Sequence, residues 1–192
     1  VRSAVIYGAN ASGKSNLIRS IQLMRGVVLE SVLLRPDQPY NVQTFQLSNT
    51  LKDKPTLFEV TVLLRGIRYQ YGFEFTPSRI VSEWLLVYEK SKPQRWIDRQ
   101  FDKSTLQENF VFSNHLIGQK KSWQEATRPN ALFLSTAVQL NSEQLRPLYN
   151  WFAESLVVFL DGAQIGPNFT TARVRDPIEH SAIRSMINSA DI

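Results

Sequence analysis

Gly8, Gly13, Lys14 and Ser15 stand at the spacing G-x-x-x-x-G-K-[ST] inside the stretch "YGANASGKSN", Tyr7 to Asn16. Each fixed position has a physical task. The glycines let the backbone curl so that successive N–H groups point inward and, with the positive end of a following helix, wrap phosphate oxygens. Lys14 adds a mobile cation for the β- and γ-phosphates of a nucleotide, and the Ser15 hydroxyl is an oxygen ligand suited to Mg²⁺. The chemistry implied is the binding of ATP with Mg²⁺, by a cradle of Gly8, Asn10, Ala11, Ser12, Gly13, Lys14, Ser15 and Asn16. The bland alternative is a glycine turn with a surface lysine, and the flanking elements decide against it.

Those elements must be a buried strand before the loop and a helix after it. "SAVIY", Ser3 to Tyr7, is a short apolar, β-leaning run ending at Gly8, of the kind found in parallel sheets. After the loop, Leu17, Ile18, Ile21, Met24 and Val28 recur at helical spacing and make one apolar stripe, with a fray or kink expected near Gly26. From Thr56 the period changes to two. "TLFEVTVLL" and "IRYQYGFEF" flank a tight Arg65-Gly66 turn and read as a hairpin, and "IVSEWLLVYE" and "RWIDRQF" continue it as an antiparallel meander over roughly 56–101. The stretch 102–128 is polar and carries no clear period. "NALFLS" reads as a buried strand, "NSEQLRPLYNWFAE" as a helix capped by Asn141 and kinked or restarted at Pro147, "SLVVFLD" as another buried strand, and "DPIEHSAIRSMINSA" as a last helix with Asp176 as its cap. The fold class expected is α/β: a P-loop core (1–35 and 130–192) with an inserted antiparallel meander, all one partial ATPase head. Because the chain opens on Val1 already inside a strand, earlier strands are expected to precede it.

Composition narrows the function classes. The chain has 192 residues, 43% hydrophobic and 20% charged, which suits a soluble domain with a real core rather than a disordered one. No apolar run approaches the roughly 20 residues of a membrane span, no signal peptide is visible, and a cytoplasmic location is expected. With no cysteine there is neither a disulfide nor a thiolate metal site, and His115 and His180 lack partners at metal spacing. No serine has a base in a recognisable triad motif. The net charge of +5 suits a partner carrying phosphates. Its basic residues are scattered, with a modest cluster at Lys90, Lys92, Arg95, Arg99 and Lys103, interleaved with acids and read as a solvated hairpin tip, and a second at Lys120, Lys121 and Arg128 around Trp123, which could hold a nucleic-acid backbone.

The loop "GANASGKSN", with Asn10 inside it and Asn16 after the serine, resembles the ABC-class ATPases of the SMC, RecF and OLD-like group. Together with "YGFEF", "IVSEWL" and "RPNALFLS" followed by "QLN", it looks like the RloA-like AAA family ATP-binding proteins of bacteria. Ala11 departs from the glycine of many relatives. The resemblance implies ATP hydrolysis in the whole protein, coupled to opening and closing of a homodimer or higher oligomer of heads. It also implies a role in anti-phage defence or DNA processing, with a nuclease-type effector and DNA as possible partners.

Such relatives also use a strand ending in Asp-Glu, a serine-glycine signature from a second head, and a late polar switch. "LVVFLDG" offers Asp161 as the acid, but Gly162 stands where the second carboxylate belongs, so Asp161 reads either as the metal-side acid or as the start of a turn. Gln139, a few residues beyond "ALFLS", is the other candidate. The resemblance implies a γ-phosphate sensor acting through Mg²⁺, and the alternative is a glutamine bonding its own loop. The binding half of a nucleotide engine is therefore present, and the hydrolytic half is expected outside the chain. A non-hydrolysing, ATP-bound scaffold is the rival reading.

Overall fold

Strict alternation of apolar and polar residues builds the largest element. In the computed structural model, which describes residues 5–10, 12–41, 54–90, 92–159, 181 and 185, five strands form one antiparallel sheet in the order β1-β2-β3-β4-β5. They are β1 (Thr56–Leu64), β2 (Ile67–Thr76), β3 (Arg79–Tyr88), β4 (Gln94–Asp102) and β5 (Gln107–Phe112). The hairpin turn is where the sequence places it. Leu64 pairs with Ile67, and Arg65 and Gly66 both take positive φ, 50° and 82°, the conformation a two-residue turn needs to match strand twist. The meander expected over 56–101 is thus present, extended by one strand. β5 was hidden because "QENFVF" is short and half polar, and only its pairing with β4 makes it a strand.

One face of the sheet is dry. Tyr71, Phe73, Phe75, Ile80, Leu85 and Ile97 are at most 1% exposed. Burial at this level is worth roughly 1.5–3 kcal/mol per large side chain before entropy is charged against it. On the other face Trp84 lies across Gly72, where a Cβ would collide with the indole ring and meet Phe58 O at 2.8 Å. Trp84 Nε1 donates to Glu59 Oε2 at 2.9 Å, so the glycine makes room for a hydrogen-bonded aromatic on a half-wet surface.

Helices cover the dry face. α1 (Lys14–Glu30) is followed by a 3₁₀ turn (Ser31–Leu33), then α2 (Lys120–Ala126), α3 (Phe133–Gln139), α4 (Arg146–Asn150) and a π-helical turn (Trp151–Ser155). Met24, Val27 and Val28 of α1, Phe133 and Leu134 of α3 and Phe152 of the π turn join the sheet side chains in one core. Only the second half of the α1 stripe is buried; Leu17 and Ile18 remain 44% and 37% exposed. The helix passes Gly26 without a break to Glu30, so it does not fray there.

A buried polar cluster fastens sheet to helices. Glu83 of β3 is wholly buried, and its carboxylate accepts from Phe133 N (2.7 Å), Leu134 N (2.9 Å) and Tyr71 OH (3.0 Å). It thereby caps α3 from another element, filling a place that Leu132 at the helix N-terminus leaves without a side-chain cap. Arg99 of β4, 1% exposed, lies 3.6 Å from Glu83, pairs with Glu108 at 2.9 Å and donates to Ala131 O at 2.6 Å. Arg79 reaches the same Glu108 at 2.6 Å. From the same 128–131 segment, Arg128 donates to Val32 O and Leu34 O, and Asn130 to Arg35 O and Gln38 O.

Several expected elements differ. Val5, Ile6 and Tyr7 are not a strand and are 71%, 59% and 88% exposed; among the described residues no strand lies beside them, and a parallel strand cannot form without neighbours. "NALFLS" is not a strand but the start of α3, because Glu83 supplies the missing cap and Ser135 Oγ bonds Val28 O across the interface. Asn141 is not a helix N-cap: it takes φ 65° just after α3, whose end it marks. Pro147 does restart a helix, lying in the first turn of α4. Leu156 to Phe159 form no strand, and Val157 and Phe159 are 41% and 48% exposed. Val1–Val158 form one compact unit and Phe159–Ile192 a second; in the latter, Ser181 and Ser185 have helical backbone, and the rest of the expected last helix lies outside the described residues.

Candidate functional site

The phosphate-type loop is assembled by one left-handed residue. Gly13 takes φ 92°, ψ 4°, a conformation costly for any residue with a Cβ, and the next residue begins α1. The 17-residue helix has no side-chain cap at this end and no acidic residue in its first turn. Its leading N–H groups and positive dipole end are therefore available to an anion. Asn10, Ser12, Gly13, Lys14, Ser15 and Asn16 surround an open hollow of about 390 Å³.

Lys14 folds back over the loop. Its ammonium donates to Gly8 O at 2.7 Å, Ala9 O at 2.6 Å and Ser12 Oγ at 3.3 Å. This latches the loop shut on the side of Gly8, where a Cβ would come within 2.8 Å of Ser12 Oγ. The three partners are neutral, so a phosphate oxygen competes well for the same cation. The Ser15 hydroxyl has no hydrogen-bond partner among the described residues and is open to an oxygen-bound cation. The donor set fits Mg²⁺ with a nucleotide: one hydroxyl as direct ligand, with the phosphates and water for the remainder. Among the described residues no group of three or more His, Asp or Glu side chains gathers to hold a metal by itself.

The other candidates fall elsewhere. Gln139, exposed at the end of α3, lines a separate hollow of about 180 Å³ with Val32, Arg128 and Thr136. Val32 follows the far end of α1, about 25 Å along the helix axis from Ser15. The structure thus does not bring Gln139 and Ser15 together. The sequence argument rested on a strand ending near Ser135, and that segment is helical. Ala11 and Asp161 lie outside the described residues, as does His180. His115 is exposed and joined through its backbone to Gln144 and Ser113.

The two basic clusters also change meaning. Trp123 is 4% exposed and packs under Phe133 and over Gly118, while Arg128 is spent on backbone carbonyls, so neither faces a partner. Arg99 is not on a solvated tip but at the centre of the buried cluster. Glu83 and Arg99 are residues that spacing alone could not single out. The one available signal was a carboxylate in phase with the apolar face of "IVSEWLLVYE".

No helix among the described residues is long and apolar enough to cross a membrane. A family model described as "AAA domain, putative AbiEii toxin, Type IV TA system" matches residues 3–181. No curated protein and no solved structure gives a significant match.

Proposed function

The chain belongs to this AAA-domain family and is a P-loop nucleotide-binding domain of the ATPase kind; from that premise we propose that Gly8–Ser15 is its ATP site and that Ser15 holds the accompanying Mg²⁺. The observation that carries this reading is the left-handed Gly13 leading directly into an uncapped helix whose first two residues are Lys14 and Ser15. Backbone N–H groups of the loop bind the phosphates, and Lys14 leaves the carbonyls of Gly8 and Ala9 for the β- and γ-phosphates. Bound Mg²⁺ supplies charge neutralisation at the phosphate oxygens. Asn10 and Asn16 border the same hollow.

The finer reading follows the likeness of "GANASGKSN" to ABC-class ATPases. The chain is the nucleotide-binding part of a head that, in the whole protein, hydrolyses ATP as two heads close and open. A defence or DNA-processing role with an effector accords with a family description that names a toxin. Phosphate release tests this against the rival scaffold: the full-length protein turns over ATP, whereas the 192-residue chain binds Mg-ATP with no turnover above background. Zero turnover by the full-length protein, at ATP concentrations that saturate binding, refutes the ATPase reading. Hydrolysis by the 192-residue chain that Asp161→Asn abolishes would instead place the missing acid in "LVVFLDG".

A further inference from the structure

The β1–β2 turn and the α4 region border a second open hollow, of about 660 Å³, well within the size range of small-molecule sites. Leu64, Ile67 and Trp151 give it apolar walls; Arg65, Tyr69 and Arg146 give it polar ones. Two of these polar groups are left without partners. Tyr69 is 6% exposed, yet its hydroxyl makes no hydrogen bond among the described residues. Tyr40, Tyr71 and Tyr88, by contrast, donate to Asn130 O, Glu83 and Gln70. The Tyr69 ring is buried while its hydroxyl is not one of the buried unpartnered atoms, so the hydroxyl is free to donate to an acceptor seated in the hollow it lines. Burial first, and Glu89 second, push its pKa up against the opposing effect of Arg65, so it is a donor at neutral pH.

Arg65 is the second. It is exposed on the turn, with neither an ion pair nor a hydrogen bond among the described residues, so it is an accessible cation at the mouth of the hollow, and the left-handed turn fixes the direction in which its side chain leaves the backbone. Arg146, on the helical wall, is already neutralised by Glu143 at 2.9 Å, and Glu154 stands exposed on that same wall. An anion therefore belongs at the Arg65–Tyr69 end. The helical wall is also fixed in advance, because Arg25 of α1 donates to Phe152 O at 2.8 Å and Ala153 O at 3.0 Å in the π turn behind Trp151. A site with both walls set loses little entropy on binding.

We propose that this hollow binds a small molecule that joins one acidic group, carboxylate or phosphate, to a flat apolar body, with Arg65 and Tyr69 holding the acid and Trp151 the body. The site is separate from the phosphate loop and shares no residue with it.

Calorimetric titration with phenylacetate, phenyl phosphate and benzyl alcohol tests this on the unmodified chain and on Arg65→Asn, Tyr69→Phe, Arg95→Asn and Lys14→Ala. Asparagine tolerates the left-handed conformation at position 65, and equal melting temperatures certify that each variant folds. One or both anions should saturate near one equivalent, roughly tenfold tighter than the neutral alcohol. Arg65→Asn should weaken them about tenfold and Tyr69→Phe about fivefold, with Arg95→Asn and Lys14→Ala unchanged. The preferred anion then tells a carboxylate ligand from a phosphate one. Absence of saturable binding for both anions, equal losses in Arg65→Asn and Arg95→Asn, or binding lost in Lys14→Ala each overturn the proposal.

Discussion

Replacing Arg99 with Met removes the only cation that touches the wholly buried Glu83 among the described residues, while keeping a side chain of comparable length in the core. The loss is larger than one ion pair. Glu108 loses a partner at 2.9 Å, Ala131 O loses a donor at 2.6 Å, and Glu83 keeps only the Tyr71 hydroxyl and two N–H groups around a charge that no water reaches. Breaking one partner out of a buried pair costs about 3–5 kcal/mol, against a total stability of about 5–15 kcal/mol for a whole domain. At this chain length that corresponds to a Tm lower by about 6–20 °C. Urea unfolding followed by tryptophan fluorescence reads the change, and the control is Arg95→Met. Arg95 pairs with Asp98 at 2.5 Å with its side chain 60% exposed, so its loss should stay within about 0.5 kcal/mol. Adding Glu83→Gln to Arg99→Met should restore part of the loss, since the amide oxygen still accepts from α3 and no charge is stranded. A penalty below about 1 kcal/mol for Arg99→Met, or no recovery in the double variant, refutes the view that a buried charge cluster ties sheet to helix.

Lys14→Ala should weaken ATP binding roughly ten- to a hundredfold, the worth of one charge-assisted contact, and equal affinities by calorimetry would exclude Gly8–Ser15 as the site. Gly72→Ala should destabilise by about 1–3 kcal/mol through its collision with Trp84 and Phe58 O, and chemical denaturation should show Trp84→Ala relieving only the part due to the indole. The pH dependence of Glu83 has a definite sign. Burial raises its pKa above the ordinary value more than Arg99 and its hydrogen bonds lower it, so the folded chain holds that proton more tightly than the unfolded one. The stability it contributes is full below the ordinary carboxylate range and declines as pH rises through the raised value. Melting curves from about pH 4 to about pH 8 should therefore show wild type losing ground to Glu83→Gln toward neutrality; a flat difference contradicts the burial.

What the sequence revealed and what it hid divide along a physical line. The Arg65-Gly66 turn, the alternation of β1 to β4 and the loop at Gly8–Ser15 are local: neighbouring residues fix each of them, and the first two are found as expected. The run "NALFLS", 130–135, reads as a strand because a short apolar run satisfies strand and helix alike, and what makes its second half the start of α3 is Glu83, fifty positions before Phe133. The same holds for Arg99, whose place in a basic cluster suggests solvent although β3, β5 and the 128–131 segment close around it. Gln139 inherited the error made for the segment before it.

The capping of α3 by Glu83 also sets an order of events. Seven residues are too few to hold a helix by themselves, and α3 has no cap within its own sequence. Its first turn becomes stable only when β3 delivers a carboxylate, and β3 presents that carboxylate inward only once it is paired with β2 and β4. Since the meander precedes α3 along the chain, it emerges first during synthesis and can form from neighbouring strands alone. The 128–139 segment then docks onto a finished surface, and substitutions confined to α3 should speed unfolding while leaving the folding rate nearly untouched.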